Sequence, residues 1–237
     1  MSGRARALLS WSSGKDSAFA LAVLRDAHEV DIVGLVTTIN LAARRVAMHE
    51  VREQLLESQA AAVGLPLWKI GIPSPCSNDQ YEAAMARLIV RARADNITVL
   101  AYGDLFLEDI RAYREAHLAG TGISPLFPLW GRNTAVLARE MIEVGQRAVL
   151  TCVDPHQRNP RYAGRSFDTA LLAELPRGCD PCGERGEFHT FAWDGPAFAH
   201  PVGVTVGDIV ERDGFVFADI LPAASSGTDR STATAGD

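Results

Sequence analysis

Residues 8–18 read LLSWSSGKDSA, an apolar segment that gives way to small hydroxyl residues, a glycine, a lysine and an aspartate. The pattern predicts a buried strand over residues 7–11 and a helix, apolar almost all round, from Lys15 to Ala27. Small residues at a strand-to-helix junction let backbone N–H groups converge on an anion, and the positive end of the helix favours negative charge. With the cation of Lys15 and the serine hydroxyls, the loop is suited to a polyphosphate.

The same loop also has a purely structural interpretation. The Walker A pattern GxxxxGK[ST] is absent, and Asp16 or a serine is able to cap the helix that follows. The rest of the chain has to decide between a phosphate site and a capped turn.

Apolar segments and helical patterns alternate through the first two-thirds of the chain. Further strands are predicted at residues 31–39, 67–72 and 97–102, and further helices at 48–63, around 81–92 and at 105–118. Strands and helices that alternate with short connections imply a parallel sheet with helices on both faces. Such sheets bind ligands outside the carboxyl ends of their strands. We therefore expect an α/β, Rossmann-like N-terminal domain with residues 8–18 at its ligand edge.

The pattern changes near Gly122. Helices are predicted at residues 133–144 and 166–175, strands at 148–153, 187–193 and 215–221, and a further alternating strand pattern at 198–206, with a hairpin turn at Asp213-Gly214. The apolar, Pro-rich segment 125–130 predicts a connection at a domain junction. We expect a first domain over residues 1–121, a smaller α+β domain over 122–221 and a disordered tail over 222–237.

Composition and charge argue against several classes of protein. The chain has 237 residues, a formal net charge of −6 and no apolar stretch near the roughly 20 residues that span a bilayer. We expect a cytoplasmic protein with no membrane or general nucleic-acid partner. The four cysteines are Cys76, Cys152, Cys179 and Cys182. Cys179 and Cys182 have the CxxC spacing of zinc or redox sites. The only nearby candidates for a second ligand pair, Cys152 and His156, do not repeat this spacing, which favours buried thiols over a metal site.

The loop at residues 12–17 (SSGKDS) resembles the pyrophosphate-binding loop of the PP-loop ATP pyrophosphatases, which have the adenine nucleotide alpha hydrolase-like fold. Three further segments resemble the diphthine–ammonia ligase branch: YGDLFLEDIR at 102–111, PLFPLW at 125–130 and CGERGEFHT at 182–190. In that branch ATP activates the carboxylate of diphthine on an elongation factor, and ammonia completes the amide. The resemblance covers about residues 5–220 and implies ATP and Mg²⁺ as cofactors, with ammonia and a carboxylate acceptor as partners.

The resemblance implies that the nucleotide is held by the loop and by two strand ends. The implied nucleotide-binding residues are Ser10, Ser12, Ser13, Gly14, Lys15, Asp16, Ser17, Thr37, Gly103 and Asp104. Lys15 and Asp16 count as catalytic as well, because Lys15 would offset charge on the leaving pyrophosphate. Asp16 and Asp104 are the candidate Mg²⁺ ligands. Asp104 has an alternative role as a cap of the helix that follows it.

The resemblance assigns the acceptor half of the site to residues 182–190. The implied catalytic residues there are Glu184, Glu187 and His189, and the implied substrate-binding residues are Gly186 and Thr190. Outside this segment, Arg132 is a further candidate for substrate binding because of its residue type. Glu184 and Glu187 would attract ammonium and deprotonate it, His189 and Thr190 would orient the acceptor carboxylate, and Arg132 would clamp a phosphate or carboxylate. A glycine-rich β-turn is the structural alternative.

One position in this segment departs from the family pattern. Archaeal and eukaryotic ligases tend to read EYET where this chain reads EFHT at residues 187–190, so His189 replaces a carboxylate. The change falls where the acceptor is expected, and it bears on the acceptor more than on the ATP chemistry. The alanine- and arginine-rich composition is typical of a bacterial protein, and bacteria are not expected to make diphthamide. The acceptor is therefore left open, while the reaction class is retained.

Two further features have both a functional and a structural interpretation. His49 either approaches the nucleotide or simply begins a helix, because a lone histidine needs a partner to act as an acid or base. The charged residues Glu108, Asp109, Arg111 and Arg114 form either a solvated, ion-paired helix face or a wall of the site.

These observations favour an ATP-dependent, AMP- and pyrophosphate-forming amide ligase. It would adenylate a carboxylate on a protein side chain or a small molecule and transfer ammonia to it. A non-catalytic ATP-binding sensor and a PP-loop tRNA-modifying enzyme are the alternatives, whereas an ADP-forming ATPase is disfavoured by the missing Walker A loop. We leave a homodimer open as the oligomeric state.

Overall fold

The first sheet is centred on the strand that leads into the SSGKDS loop. The computed structural model describes residues 3–46 and 51–223. The strands of this sheet are β1 (Ala5–Ser10), β2 (Val30–Asn40), β3 (Arg45–Val46), β4 (Leu67–Ile72), β5 (Val99–Ala101) and β6 (Ser124–Leu126). The five longer strands run parallel in the order β4-β2-β1-β5-β6, and β3 pairs antiparallel with the end of β2.

Helices cover both faces of this sheet, as the pattern of alternating elements predicts. The helices of the N-terminal part are α1 (Lys15–Ala27), α2 (Glu53–Val63), α3 (Asn78–Ala94) and α4 (Glu108–Leu118). Two more, α5 (Thr134–Glu143) and α6 (Thr169–Glu174), follow later in the chain. Successive side chains of β1 point to opposite faces. Leu9 is buried in one core cluster with α1 and α2, while Leu8 is buried in a second cluster with Leu88 of α3. The described helices are all too short or too polar to serve as membrane spans.

A second, antiparallel sheet follows, in the order β8-β7-β10-β9. Its strands are β7 (Arg147–Val153), β8 (Phe188–Asp194), β9 (Val204–Arg212) and β10 (Phe215–Pro222). Val149 of β7 and Phe191 of β8 belong to the same core cluster as Leu9 of β1, so the two sheets share one core. The fold is therefore an α/β, Rossmann-like domain with a smaller C-terminal domain, and the expected fold class is confirmed.

Several predicted elements differ from those observed. Residues 124–126 form β6, a strand parallel to β5, whereas the sequence pattern predicts a connection there. Residues 198–203 are not a strand despite their alternation. Pro201 has no N–H for a ladder, and the N–H groups of Phe198 and Ala199 donate to the carbonyls of Gly195 and Ala62 instead. The helix predicted at 166–175 shortens to α6, which begins where the Asp168 side chain accepts a hydrogen bond from the Leu171 N–H.

Some predictions concern residues outside the described part of the chain. They include the beginning of the predicted helix 48–63, the role of His49, and the disordered state of the tail beyond residue 223. The domain division near Gly122 stays a prediction, with β6 lying in the N-terminal sheet.

The strand order creates a crevice beside the loop. The chain proceeds from β1 to β2 and β4 on one side and then places β5 and β6 on the other side of β1. The connections that leave the carboxyl ends of β1 and β5 therefore diverge, which is where sheets of this type bind ligands. Residues 10–17 follow β1, and Gly103 and Asp104 follow β5.

Candidate active site

The loop between β1 and α1 has a backbone conformation that requires support. Ser13 has a φ of 70°, in the left-handed region that non-glycine residues seldom adopt. Gly14 is the N-cap residue of α1, so the N-cap position itself provides no side chain to cap the helix. The N-terminus of a helix is a favourable position for an anion.

Residues far along the chain hold the loop in this conformation. The carbonyl of Ser13 accepts hydrogen bonds from the Ala192 N–H on β8 and from the side-chain amide of Gln59 on α2, each at 2.9 Å. Gln59 is fully buried and also accepts a hydrogen bond from the indole of Trp11 at 2.9 Å. The Lys15 N–H donates to the hydroxyl of Thr190 at 3.1 Å. The loop therefore owes its shape to both domains.

The ammonium of Lys15 lies inside the protein, next to the segment 182–190. Lys15 is 1% exposed, donates to both carboxylate oxygens of Asp16 at 3.0 and 2.8 Å, and donates to the carbonyl of Cys182. Burial acts against its charge, but Asp16 and the other groups nearby raise the pKa of Lys15 above its usual value, so it stays cationic. Burial raises the pKa of Asp16, and the attraction of Lys15 offsets only part of that rise.

The end of β5 approaches the loop closely because of a glycine. A Cβ on Gly103 would lie 3.0 Å from the backbone carbon of Asp16 and 3.0 Å from the nitrogen of Ser17. The next residue, Asp104, does not cap α4, whose N-cap residue is Leu107. Instead its carboxylate binds Arg114 of α4 through two hydrogen bonds, at 2.5 Å from Nε and 3.1 Å from Nη2.

Glu184 brings a third carboxyl group to the loop. Its Oε1 accepts a hydrogen bond from the Leu105 N–H at 2.8 Å, which ties the segment 182–190 to the end of β5. Burial, followed by the negative charge of Asp16, raises the pKa of Glu184 to about 7. Lys15 and the Leu105 N–H oppose this rise, and Asp104 adds to it. A carboxyl group with this pKa can give or take a proton near neutral pH.

Glu187 has a different environment from Glu184. It is 1% exposed and pairs with Arg158 at 3.1 Å. Its carboxylate also accepts hydrogen bonds from the backbone N–H groups of Asp180 and Arg185, at 2.9 and 3.0 Å. These contacts shape the loop 180–187, and the sequence-based role of Glu187 in binding ammonium stays a prediction.

Two cavities meet beside the loop. The larger, which we name the loop cavity, has a volume of about 410 Å³ and is lined by Lys15, Asp16, Ser17, Gly103, Asp104, Cys182, Glu184, Gly186 and Thr190, among others. The smaller, the aromatic cavity, has about 220 Å³ and is lined by Trp11, Thr37, Thr38, Tyr81, Met85, Leu88, Tyr113 and His117, among others. Five residues line both cavities: Ser10, Ser12, Tyr102, Arg114 and His189.

His189 lies on this boundary, with its ring largely removed from solvent. Burial, with the charge of Lys15 acting in the same direction, lowers the pKa of His189 to about 4. The imidazole is therefore neutral at physiological pH. A neutral imidazole offers one hydrogen-bond donor and one acceptor.

The structure brings together most of the candidate site residues. Four of the sequence-based candidates line neither cavity: Ser13, Gly14, Arg132 and Glu187. The hydroxyl of Ser13 is buried, and Arg132 pairs with Glu140 of α5. Sequence reasoning missed Gln59, which gives no motif signal. It left Arg114 undecided between a solvated face and a site wall, and Arg114 lines both cavities.

The donor set of the loop cavity suits Mg²⁺ only in company with a ligand. Asp16 and Asp104 both line this cavity and offer the oxygen donors that Mg²⁺ prefers. Among the described residues there is no group of three or more side chains able to hold a metal ion. Mg²⁺ is usually bound by one or two carboxylates together with substrate phosphates and water. The residues present fit that mode of binding.

The comparisons with known proteins agree with this geometry. The family model described as diphthamide synthase N-terminal domain matches residues 5–117, and the model described as diphthamide synthase C-terminal domain matches residues 133–219. A protein named diphthine–ammonia ligase from Danio rerio is 27% identical over 229 residues, which are 88% of this chain and 90% of that protein. Proteins of the same name from Homo sapiens and Bos taurus are 26% and 25% identical, each over 88% of this chain and 86% of their own lengths.

The two matches account for most of the chain and lie on either side of β6. They also take in both halves of the site, since the SSGKDS loop lies in the first match and residues 182–190 in the second. The chain therefore belongs to the diphthamide synthase family, in the diphthine–ammonia ligase-like branch of the PP-loop enzymes.

Proposed function

We propose that this protein is an ATP-dependent ligase that adenylates a carboxylate and transfers ammonia to it, with release of AMP and pyrophosphate. One observation supports this proposal above all. The SSGKDS loop and the segment 182–190 line one cavity, and they are joined by hydrogen bonds from Lys15 to the Cys182 carbonyl and the Thr190 hydroxyl. A phosphate-binding loop and a segment rich in acid–base groups are thus in contact.

In the first step, an oxygen of the acceptor carboxylate attacks the α-phosphorus of ATP, and the bond to the β-phosphate oxygen breaks. The products are an acyl-adenylate and pyrophosphate. The β- and γ-phosphates would lie in the loop cavity against Lys15 and the N-terminus of α1, and the nucleoside would lie in the aromatic cavity. Lys15 stabilises the negative charge that develops on the leaving pyrophosphate.

When bound, Mg²⁺ neutralises charge on the phosphates. Asp16 and Asp104 would hold it. The residues of the chain contribute by positioning the acceptor carboxylate in line with the leaving group and by excluding water from the acyl-adenylate.

In the second step, ammonia attacks the acyl carbon, the bond to AMP breaks, and one proton is released. Glu184 is the group best suited to accept that proton or to take one from ammonium, because its pKa is about 7. His189 donates a hydrogen bond to the acceptor or accepts one from the attacking amine as a neutral imidazole. The acceptor of this chain is a carboxylate, and the chemistry does not depend on its being diphthine.

The thiols argue against a PP-loop tRNA-modifying enzyme that uses cysteine chemistry. Burial raises the pKa of both Cys179 and Cys182, and Cys182 directs its sulfur at the carbonyl of Thr134 at 3.5 Å. A raised pKa leaves little of the nucleophilic thiolate. The net charge of −6 also gives no general attraction to tRNA.

Product analysis tests the proposal. We expect ATP, Mg²⁺, ¹⁵N-ammonium and a panel of carboxylic acids and acidic proteins to yield AMP and pyrophosphate in equal amounts, with ¹⁵N in the acceptor. In the absence of ammonium, labelled pyrophosphate should exchange into ATP when the acceptor is present. Formation of ADP and phosphate would contradict the proposal, and ATP binding with no turnover on any acceptor would favour the sensor.

The chain supplies a matched control for the loop assignment. Its two lysines are Lys15 and Lys69, and Lys69 is a surface residue paired with Glu53 and Glu57. K15A should reduce pyrophosphate exchange by at least two orders of magnitude, the range found when one stabiliser of developing charge is removed. K69A should retain full exchange. Equal activity of the two variants would refute the assignment of the loop.

A further inference from the structure

We propose that Arg114 is a phosphate-binding residue and that it exchanges partners when the nucleotide binds. In the free protein it is paired with Asp104. In the complex it binds the phosphates, and Asp104 is released to take the divalent cation that accompanies them. This inference rests on the proposed function in one respect, that the cavities bind a nucleoside triphosphate.

The position of Arg114 carries the first part of the inference. It is one of the five residues that line both cavities, so a ligand with its nucleoside in the aromatic cavity and its phosphates in the loop cavity must pass it. The guanidinium lies 4.3 Å from the ring centroid of Tyr102, which follows β5. This cation–π contact helps to hold the guanidinium at the junction of the two cavities. A planar guanidinium with several N–H donors is well suited to phosphate oxygens.

The ion pair carries the second part. Asp104 is bound by Nε and Nη2 of Arg114, and the side chains are 17% and 26% exposed, respectively. Lys15 and Asp16 form a corresponding pair that lines the same cavity. Each candidate metal ligand, Asp16 or Asp104, is therefore paired with a basic side chain that a phosphate would attract. This arrangement also limits the repulsion between acidic groups that a site without ligand would otherwise have.

The exchange predicts an order of events. With its carboxylates paired, the free site has little attraction for a divalent cation alone, in keeping with the lack of a three-ligand group among the described residues. Phosphates supply negative charge to Arg114 and Lys15 and, at the same time, additional oxygen ligands for the metal. Cation and nucleotide should therefore bind with positive coupling, and each should increase the affinity for the other.

The test uses two variants that separate a phosphate contact from a merely structural ion pair. The probes are α,β-methylene-ATP, which cannot be cleaved between the α- and β-phosphates, and Mn²⁺ followed by electron paramagnetic resonance. R114A should weaken binding of α,β-methylene-ATP, with EDTA present, roughly tenfold to a hundredfold, the range for a hydrogen bond to a charged group. D104N should bind α,β-methylene-ATP at least as tightly as the unmodified protein, because Arg114 has lost the competing carboxylate. In the ternary complex, D104N should bind Mn²⁺ less tightly.

R111A is the control, because Arg111 lies on the same helix but pairs with Glu115 and stacks on Trp130, outside both cavities. It should bind both probes normally. Equal weakening by R114A and D104N in EDTA would mean that the pair only supports the fold, and would overturn the exchange. Unchanged binding by R114A would overturn it as well, while leaving the proposed function intact. If the unmodified protein does not bind the analogue at all, both proposals fail together.

Discussion

The carboxyl group of Glu184 should make the stability of the protein depend on pH in a way that needs no substrate to measure. In the folded protein its pKa is about 7, whereas the usual value for glutamate is 4.5. The protonated carboxyl therefore contributes to stability fully below about pH 4.5, and this contribution is lost as the pH rises through about 7. At 1.36 kcal/mol per pKa unit, the loss is about 3 kcal/mol.

The variant E184Q keeps the oxygen that accepts the Leu105 N–H but carries no charge at any pH. The difference in the free energy of unfolding between E184Q and the unmodified protein should therefore rise by about 3 kcal/mol between about pH 4.5 and about pH 8. Urea unfolding at intervals of one pH unit measures this difference. E82Q, a change on the exposed face of α3, corrects for the loss of one negative charge from the chain as a whole.

A difference that does not change with pH would refute the reasoning, because it would mean that Glu184 ionises as readily in the folded protein as in the unfolded chain. A difference that falls with pH would show that the folded protein stabilises the carboxylate. In either case Glu184 would lose its claim to act as the proton acceptor in the second step of the proposed reaction.

Three other predictions concern the same site. G103A should destabilise the protein by about 1–3 kcal/mol in urea unfolding and weaken nucleotide binding, because the new methyl group would press on the backbone of Asp16 and Ser17; equal stability and affinity would show that the strand end can shift freely. The effects of K15M and D16N on the free energy of unfolding should be non-additive. The double variant should be more stable, by roughly 1–3 kcal/mol, than the sum of the two single effects predicts, because each single change leaves the other residue without its partner. Additive effects would mean that the pair contributes nothing to stability. The imidazole of His189 should titrate near pH 4 in NMR spectra, and a midpoint above pH 6 would contradict its assignment as a neutral group.

Local sequence patterns predicted the elements that carry the loop. The helix from Lys15 to Ala27 and the strand from Leu67 to Ile72 are observed with the predicted bounds. Each has a strong local signal, an apolar helix after a glycine in one case and a short apolar run bounded by Pro66 in the other. The parallel sheet followed from the alternation of such elements.

Elements whose identity depends on distant neighbours were not predictable in this way. Residues 124–126 form β6 only because β5 offers an open edge, and their sequence SPL has no strand pattern of its own. The contacts within the site have the same character. Arg114 and Asp104 are ten positions apart, and Lys15 and Cys182 are 167 apart. Motif matching brought Lys15 and residues 182–190 into one hypothesis, but it gave no information about which atoms meet.

The hydrogen bonds that shape the loop have a consequence for how the protein is made. During synthesis, residues 10–17 leave the ribosome long before Thr190 and Ala192 do. Thr190 binds the Lys15 N–H, and Ala192 binds the carbonyl of Ser13. During that interval a nascent chain has the complete phosphate motif without the strand that holds it in shape. The proposed nucleotide site is therefore completed only after β8 has been synthesised and has folded against the loop.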